Sequence, residues 1–211
     1  MRKIVILANG AMPTGEEALR ILRGTCSMTA LVCCDGAYSK AKALGCEPDL
    51  VVGDGDSLSG EEKHILGRRL RIVSEQETND LAKAFYASVD EYGLNSNDRV
   101  VILGASGLRE DHLIGNVYRL IEFAVKIPLV EVVTDYGRFT VVSETRKYET
   151  VLGAAVSVFS PYYDAKVVSD GLEWPLKGID LAMPWSGTLN RTTNTSFTLS
   201  STKPVIVYEA F

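Results

Sequence analysis

Six short apolar runs divide the first 138 residues, and each one stops at polar or glycine residues. Lys3–Leu7 runs into Asn9-Gly10, Thr29–Cys34 into Asp35-Gly36, and Leu50–Val52 into Gly53-Asp54. Arg71–Val73 stops before Glu75-Gln76, Val100–Leu103 at Gly104, and Val130–Val133 at Thr134-Asp135. Near-continuous β-branched runs suit strands buried on both faces, the condition of a parallel sheet. Helical stripes fill the gaps. Leu81, Ala84, Phe85, Ser88 and Val89 recur at i, i+3, i+4, i+7 and i+8, as do Leu113, Val117, Leu120, Ile121 and Ala124 at similar spacing. Strands alternating with helices predict an open, mostly parallel α/β sheet. Ligands of such sheets bind outside the carboxyl ends of the strands, where the polar residues just named stand.

The pattern changes near residue 138. Residues 139–211 hold 10 of the 17 aromatic residues and 4 of the 7 prolines in about a third of the chain, and show few helical stripes. Ala154–Phe159, Lys166–Val168, Phe197–Leu199 and Val205–Tyr208 are short and β-rich, separated by Gly, Pro, Asn or Ser. An antiparallel sandwich or small barrel is expected here. The fold class is therefore α/β: a Rossmann-like open-sheet domain over 1–138, then a β-sandwich domain over 139–211. No Gly/Ser/Pro-rich linker separates them.

The net charge of −5 and pI near 5.2 give a poor electrostatic footprint for nucleic acid, which needs clustered Lys and Arg. A phosphate ligand would have to be held locally, by a metal, backbone N–H groups or a few placed cations. The first apolar run, Ile4–Ala8, is too short for a secretory core, and no run approaches the ~18 apolar residues of a membrane span. Cys26, Cys33, Cys34 and Cys46 form no C-x-x-C pair. They are expected to be reduced, mostly buried thiols of a cytoplasmic protein.

Three segments concentrate chemistry. In Gly53-Asp54-Gly55-Asp56, a strand runs into two carboxylates two residues apart, which point to one side in extended backbone. They are either a solvated turn or a pair converging on Mg²⁺, which takes one or two carboxylates plus water and substrate phosphates. In Gln76-Glu77-Thr78-Asn79-Asp80, Thr78 and Asn79 suit N-caps and Asp80 suits the helix dipole. The alternative is a helix start facing a nucleotide, with Asp80 a third carboxylate and Lys83, one turn on, touching phosphate or solvent. The third segment is Gly104-Ala105-Ser106-Gly107-Leu108-Arg109-Glu110-Asp111-His112, followed by Asn116. Glycines at a strand-to-helix junction let phosphate approach backbone N–H groups, and Arg109 is a suitable cation. His112 and Asn116, four apart, share a helical face. The segment is neither a Walker A loop nor a G-x-G-x-x-G fingerprint, and no Ser-His-Asp arrangement is suggested.

Taken in order, these segments resemble the thiamine pyrophosphokinase family. The resemblance rests on Asp35-Gly36-Ala37, Pro48-Asp49 with Gly53-Asp54-x-Asp56-Ser57, Gln76-x-Thr78-x-Asp80-x-x-Lys83, and Gly104-Ala105-x-Gly107-x-Arg109-x-Asp111-His112 with Asn116. Gly171-Leu172-Glu173-Trp174-Pro175-Leu176 and Leu189…Thr193-Asn194 extend it, over about residues 33–208. It implies a homodimer with its active site at the subunit interface, transferring a pyrophosphoryl group from Mg-ATP to the thiamine hydroxyl and releasing AMP. It further implies that Asp54, Asp56 and Asp80 hold Mg²⁺ and carry catalysis. Asp35, Gln76, Thr78, Lys83, Arg109, Asp111, His112 and Asn116 would line the nucleotide site. Trp174 of the partner subunit would stack on thiamine near Thr193 and Asn194, which suits an aromatic cation.

The chain departs from the family at three points. Gly55 replaces an aliphatic residue and gives that loop more freedom. Thr193 replaces a serine, and its methyl narrows the vitamin pocket. Asp35-Gly36-Ala37-Tyr38 differs from the usual Asp-Gly-Gly-Ala. Two alternative functions share the same residues: a pyrophosphokinase of another hydroxymethyl heterocycle such as a pterin alcohol, and a non-catalytic nucleotide or thiamine sensor.

Overall fold

A computed structural model describes residues 1–24, 29–181 and 183–211. Cys26 lies outside them; among the described residues Cys33, Cys34 and Cys46 form no disulfide, and the first two are buried. The chain divides into two compact units, Met1–Arg119 with Phe123–Asp135, and Leu120–Glu122 with Tyr136–Phe211.

In the first unit the apolar runs become β1 (Lys3–Leu7), β2 (Thr29–Cys34), β3 (Leu50–Gly53), β4 (Leu70–Ile72), β5 (Arg99–Leu103) and β6 (Leu129–Val133). Strand β4 lies one residue earlier than its apolar run. The helices are α1 (Glu16–Arg23), α2 (Tyr38–Ala43), α3 (Gly60–Leu66), α4 (Asp80–Tyr92) and α5 (Glu110–Lys126). The strands lie in the order β6-β5-β1-β2-β3-β4, all parallel. Val5 faces Leu31 on one side and Val101 on the other. Period two then sorts the side chains. Val5, Leu7, Leu31, Cys33, Val51, Val101 and Leu103 join Ala18, Ile21 and Leu22 of α1 and Leu66 of α3 in one core. The opposite face receives α4, which packs on β1, β2 and β3. Its Phe85 stacks on Phe123 of α5 with ring centroids 4.0 Å apart. Burial on both faces is why these strands read as unbroken apolar runs.

The order reverses at β1. The chain steps outward from β1 to β4, then returns to lay β5 on the other side of β1. Beyond the strand ends, Ala8 N–H donates to Leu103 O (2.8 Å), Gly10 N–H to Gly104 O (2.7 Å) and Ala11 N–H to Ser106 O (2.8 Å). The loops after β1 and β5 therefore flank a switch-point crevice of the kind that binds ligands in open α/β sheets.

The second unit is antiparallel. Its strands are β7 (Gly137–Val142), β8 (Thr145–Glu149), β9 (Ala155–Phe159), β10 (Lys166–Asp170), β11 (Lys177–Asp180), β12 (Gly187–Arg191), β13 (Ser196–Ser201) and β14 (Val205–Ala210). They pair as β12-β9-β14-β7 and as β11-β10-β13-β8. Val156, Val158, Val205 and Val207 from the first set meet Val167, Phe197 and Leu199 from the second in one buried core, the sandwich expected from the sequence. Tyr148 on β8 stands opposite Phe197 on β13, the rings stacked at 4.7 Å. Its hydroxyl meets Thr140 Oγ1 of β7 at 3.0 Å, so a buried polar tip is satisfied across the two sheets. Burial pushes the Tyr148 phenol up to about 12.

Tyr38 is the contrasting case. It is fully buried, and among the described residues its hydroxyl has no hydrogen-bond partner. An unsatisfied buried hydroxyl costs about 1–3 kcal/mol, whereas a satisfied one contributes about 1 kcal/mol. Tyr38→Phe is therefore expected to hold or raise unfolding free energy by about 1 kcal/mol, and Tyr148→Phe to lower it by about as much. Urea unfolding of the two variants checks the opposite signs.

Candidate active site

The carboxyl ends of β2 and β3 meet through one side chain. Asp35, directly after β2, is buried and accepts the N–H of Gly36 (2.7 Å) and of Gly55 (2.9 Å). Its carboxyl occupies the space a side chain on residue 53 would need: a Cβ there would fall 2.3 Å from Asp35 Cγ. Burial raises the Asp35 carboxyl above the usual range; the two amides work against that, and nearby Asp80 and Asp54 add to it. Gly55 has φ +82, a left-handed conformation that a Cβ disfavours. The glycine departure from the family is thus a requirement of this turn, and its amide is tied to Asp35 rather than free.

Asp54 is half-buried, and its Oδ1 accepts the Asp56 N–H (3.1 Å). That bond, with a further one from the Gln76 side chain and the nearby Lys83 charge, holds the Asp54 carboxyl below its ordinary value despite partial desolvation. Asp56 and Gln76 are exposed. Glu75 shapes the next loop by accepting the N–H of Glu77 (2.7 Å) and of Thr78 (3.0 Å), and the Thr78 hydroxyl. Asn79 is the N-cap of α4, its Oδ1 taking the Ala82 N–H at 3.0 Å. Asp80 opens that helix with its side chain 52 % exposed, 3.7 Å from the ammonium of Lys83. Lys83 is not solvated: its side chain is 2 % exposed, so a buried cation underlies the acidic group.

Beside this group, at the switch point, lies a cavity of about 300 Å³. Asp80, Arg109, His112 and Asn116 line it; Asp35, Asp54, Asp56, Gln76, Thr78, Lys83 and Asp111 do not. Asp80 is thus common to the cavity and the carboxylate group. Asn116 is buried, accepts the Asn79 Nδ2–H at 2.9 Å and donates to Ala105 O at 3.4 Å. Arg109 and Asp111 engage each other in a two-pronged ion pair with Arg109 Nη2 to Asp111 Oδ2 at 2.6 Å. That pairing lowers the Asp111 carboxyl.

The group that follows β3 and opens α4 offers carboxylate oxygen only, hard donors that suit Mg²⁺ better than zinc. Among the described residues no group of three His, Cys, Asp or Glu side chains is placed to hold a metal ion, so Asp54, Asp56 and Asp80 do not stand together as a ready-made three-carboxylate site. An open set of this kind fits an ion that keeps water and takes phosphate oxygens as its remaining ligands.

The second unit has a separate hollow of about 460 Å³ lined by Trp174, Pro175, Leu176 and residues 186–190. Trp174 is 55 % exposed. Thr193 and Asn194 are exposed and do not line this hollow; Thr193 N–H donates to Gly171 O at 2.9 Å.

Sequence comparison decides the family. The model of the thiamin pyrophosphokinase catalytic domain matches residues 25–131, and that of the substrate-binding domain of the same enzyme matches residues 137–208. The chain belongs to the thiamin pyrophosphokinase family. No curated protein matches the sequence significantly. Among solved structures, a protein from Lactobacillus plantarum superposes with a TM-score of 0.80 at 18 % identity, covering 100 % of this chain and 99 % of that one. Thiamine pyrophosphokinase from Bacillus subtilis gives 0.76 at 20 % identity, with 99 % of each chain covered. Thiamin pyrophosphokinase from Candida albicans gives 0.79 at 15 % identity, covering 99 % and 90 %. At such identities these likenesses speak for the fold.

Several residues of this thiamin pyrophosphokinase family member escaped sequence reasoning. Asn9, Gly10 and Cys34 also line the cavity, beside Ser106 of the glycine-rich segment. The Asn9-Gly10 stop was visible but matched no phosphate-binding pattern. Lys40 carried no motif, yet its ammonium ties down that loop through Asn9 Oδ1 (2.7 Å), Gly10 O (3.0 Å) and Asn9 O (3.2 Å).

The two perturbed carboxylates have opposite linkage. Asp54, lowered on folding, stabilises above its unfolded pKa and loses that contribution as pH falls through its folded value. Asp35, raised on folding, is tolerated best below its unfolded pKa and costs stability as pH rises through its folded value. The stability difference between wild type and Asp54→Asn should shrink as pH drops from about 7 to below about 4, while that for Asp35→Asn should move the other way. Urea titrations at both pH values test the signs. Gly55→Ala is expected to lose about 1–2 kcal/mol, the cost of a Cβ in left-handed backbone, measurable by the same method.

Proposed function

We propose that the protein is a thiamine pyrophosphokinase, making thiamine diphosphate and AMP from thiamine and Mg-ATP. The observation that carries this is the succession of the family's catalytic and substrate-binding domains along one chain. The acidic group beside a switch-point cavity supports it. On this proposal residues 1–138 form the nucleotide- and metal-binding domain and residues 139–211 the thiamine-binding domain. The active protein is a homodimer with its active site at the subunit interface. We assign it to the cytoplasm, in keeping with the buried Cys33 and Cys34, which form no disulfide among the described residues.

Asp54, Asp56 and Asp80 would hold Mg²⁺. When bound, the ion neutralises phosphate charge and stabilises the leaving oxygen. The chain's own residues do the rest. The crevice between the β1 and β5 loops receives the nucleotide, with His112 and Asn116 on its α5 wall. Arg109 exchanges its Asp111 partner for phosphate oxygens, and the buried Lys83 adds fixed positive charge. Asp35, Gln76 and Thr78 shape the loops that carry the carboxylates. Trp174 stacks on the thiamine ring near Thr193 and Asn194. The thiamine hydroxyl oxygen attacks the β-phosphorus as the bond from that phosphorus to the α-phosphate bridging oxygen breaks, so AMP departs. The hydroxyl proton passes to a carboxylate; Asp56 and Asp80, both exposed, are the candidates. Catalysis of this kind is mostly positioning and charge stabilisation.

Mixing protein, ATP, Mg²⁺ and thiamine should yield AMP and thiamine diphosphate in equal amounts. ADP as the product, or ligand binding without AMP release, contradicts the proposal, and a pterin alcohol outcompeting thiamine reassigns the acceptor. Asp54→Asn and Asp56→Asn should each reduce turnover by at least about a hundredfold while leaving circular dichroism unchanged.

A further inference from the structure

Trp174 follows β10 and is more than half exposed, yet its backbone N–H and C=O are both held by one side chain. The Trp174 N–H donates to Asn190 Oδ1 (3.1 Å), and Asn190 Nδ2 donates to Trp174 O (2.6 Å). The Arg191 N–H donates to the same Oδ1 at 2.9 Å. Two donors converge on one end of the amide and an acceptor faces the other, so its orientation follows from its partners. Asn190 is 4 % exposed. All of its partners are backbone groups.

The surrounding chain shows why a side chain is needed here. Residues 171–173 lie along 191–193 as a short ladder: Leu172 bridges Thr192, Glu173 N–H donates to Arg191 O (2.8 Å), and Thr193 N–H donates to Gly171 O (2.9 Å). The backbone of residue 190 is instead paired with Val156 on β9. Its neighbour Leu189 sits at φ +62, and the β12–β9 register shifts between Gly187 and Asn190. The Asn190 amide, itself a peptide group in miniature, supplies the next rung in place of the backbone. Pro175 follows Trp174 and has no N–H to offer, so the rung is the last anchor before the chain turns away.

We propose that Asn190 is the positioning residue that fixes the Trp174 indole for thiamine recognition, a role that rests on the assignment of Trp174 to thiamine above. The match is specific to an amide. Aspartate has the same shape but cannot donate to the Trp174 carbonyl, and would set a carboxylate against it. Serine is too short to reach both groups.

The test uses a Trp185→Phe background, in which Trp174 is the single tryptophan. Asn190→Asp and Asn190→Ser are expected to raise the thiamine KM about tenfold with kcat within about twofold, because the stacking surface acts on bound substrate and transition state alike. Without any ligand, the anisotropy decay of Trp174 should gain a fast component. A residue serving only sandwich stability would reduce the folded fraction and so the apparent kcat, with KM and anisotropy decay unchanged; that result overturns the proposal. Serine guards against an aspartate variant that fails to fold. Trp174→Ala separates the two assignments. An unchanged thiamine KM there removes Trp174 from thiamine binding and overturns the recognition role. The ligand-free anisotropy of the Asn190 variants still reports whether the amide holds the indole.

Discussion

The acidic end of the first unit depends on a single buried carboxylate. Asp35 ends β2 and reaches across to the turn after β3, where it takes the amide of Gly55 and sits over Gly53. A carboxylate buried without donors would neutralise or force the turn open. With two amides it becomes the pin that sets the direction in which Asp54 and Asp56 leave the sheet. The cost appears as its raised proton affinity, and Lys83, buried beneath Asp80, offsets part of the accumulated negative charge. The same acidity that argues against nucleic acid as a partner is concentrated here, where the proposed metal-bound nucleotide would sit.

The first unit was largely legible from sequence because strands buried on both faces must be apolar throughout, and each of them announced its end with a turn residue. The second unit was legible only in part. Strands β9, β10, β13 and β14 carry apolar alternation strong enough to see. Strand β7 was lost beside the domain boundary. Strands β8, β11 and β12, such as Thr145–Glu149, expose polar side chains on one face and draw their order from partners far along the chain. Period-two signals in four or five residues interrupted by charges or glycine do not stand out.

The site divides in the same way. Carboxylates and glycines at strand ends were visible because the proposed metal binding and tight turns tolerate few other residues. The amide and ammonium groups that hold the site were not. Lys40 and Asn190 act on backbone carbonyls and amides supplied by distant segments, and nothing local marks such a residue. Thr78 and Asn79 illustrate the middle ground. Both looked like caps, and only Asn79 is one, since Glu75 claims the threonine hydroxyl.

Asn79 also does something beyond capping. Its oxygen closes the first turn of α4 while its nitrogen reaches Asn116 on α5, which passes the connection to Ala105 after β5. Three walls of the cavity are thereby one continuous chain of amides. Such a chain acts as a block: a change at 79 removes the donor to Asn116, and a change at 116 frees the loop at 105. Substitutions that reshape the pocket without loosening these walls therefore belong at lining positions outside the chain of amides, such as Leu108 and His112.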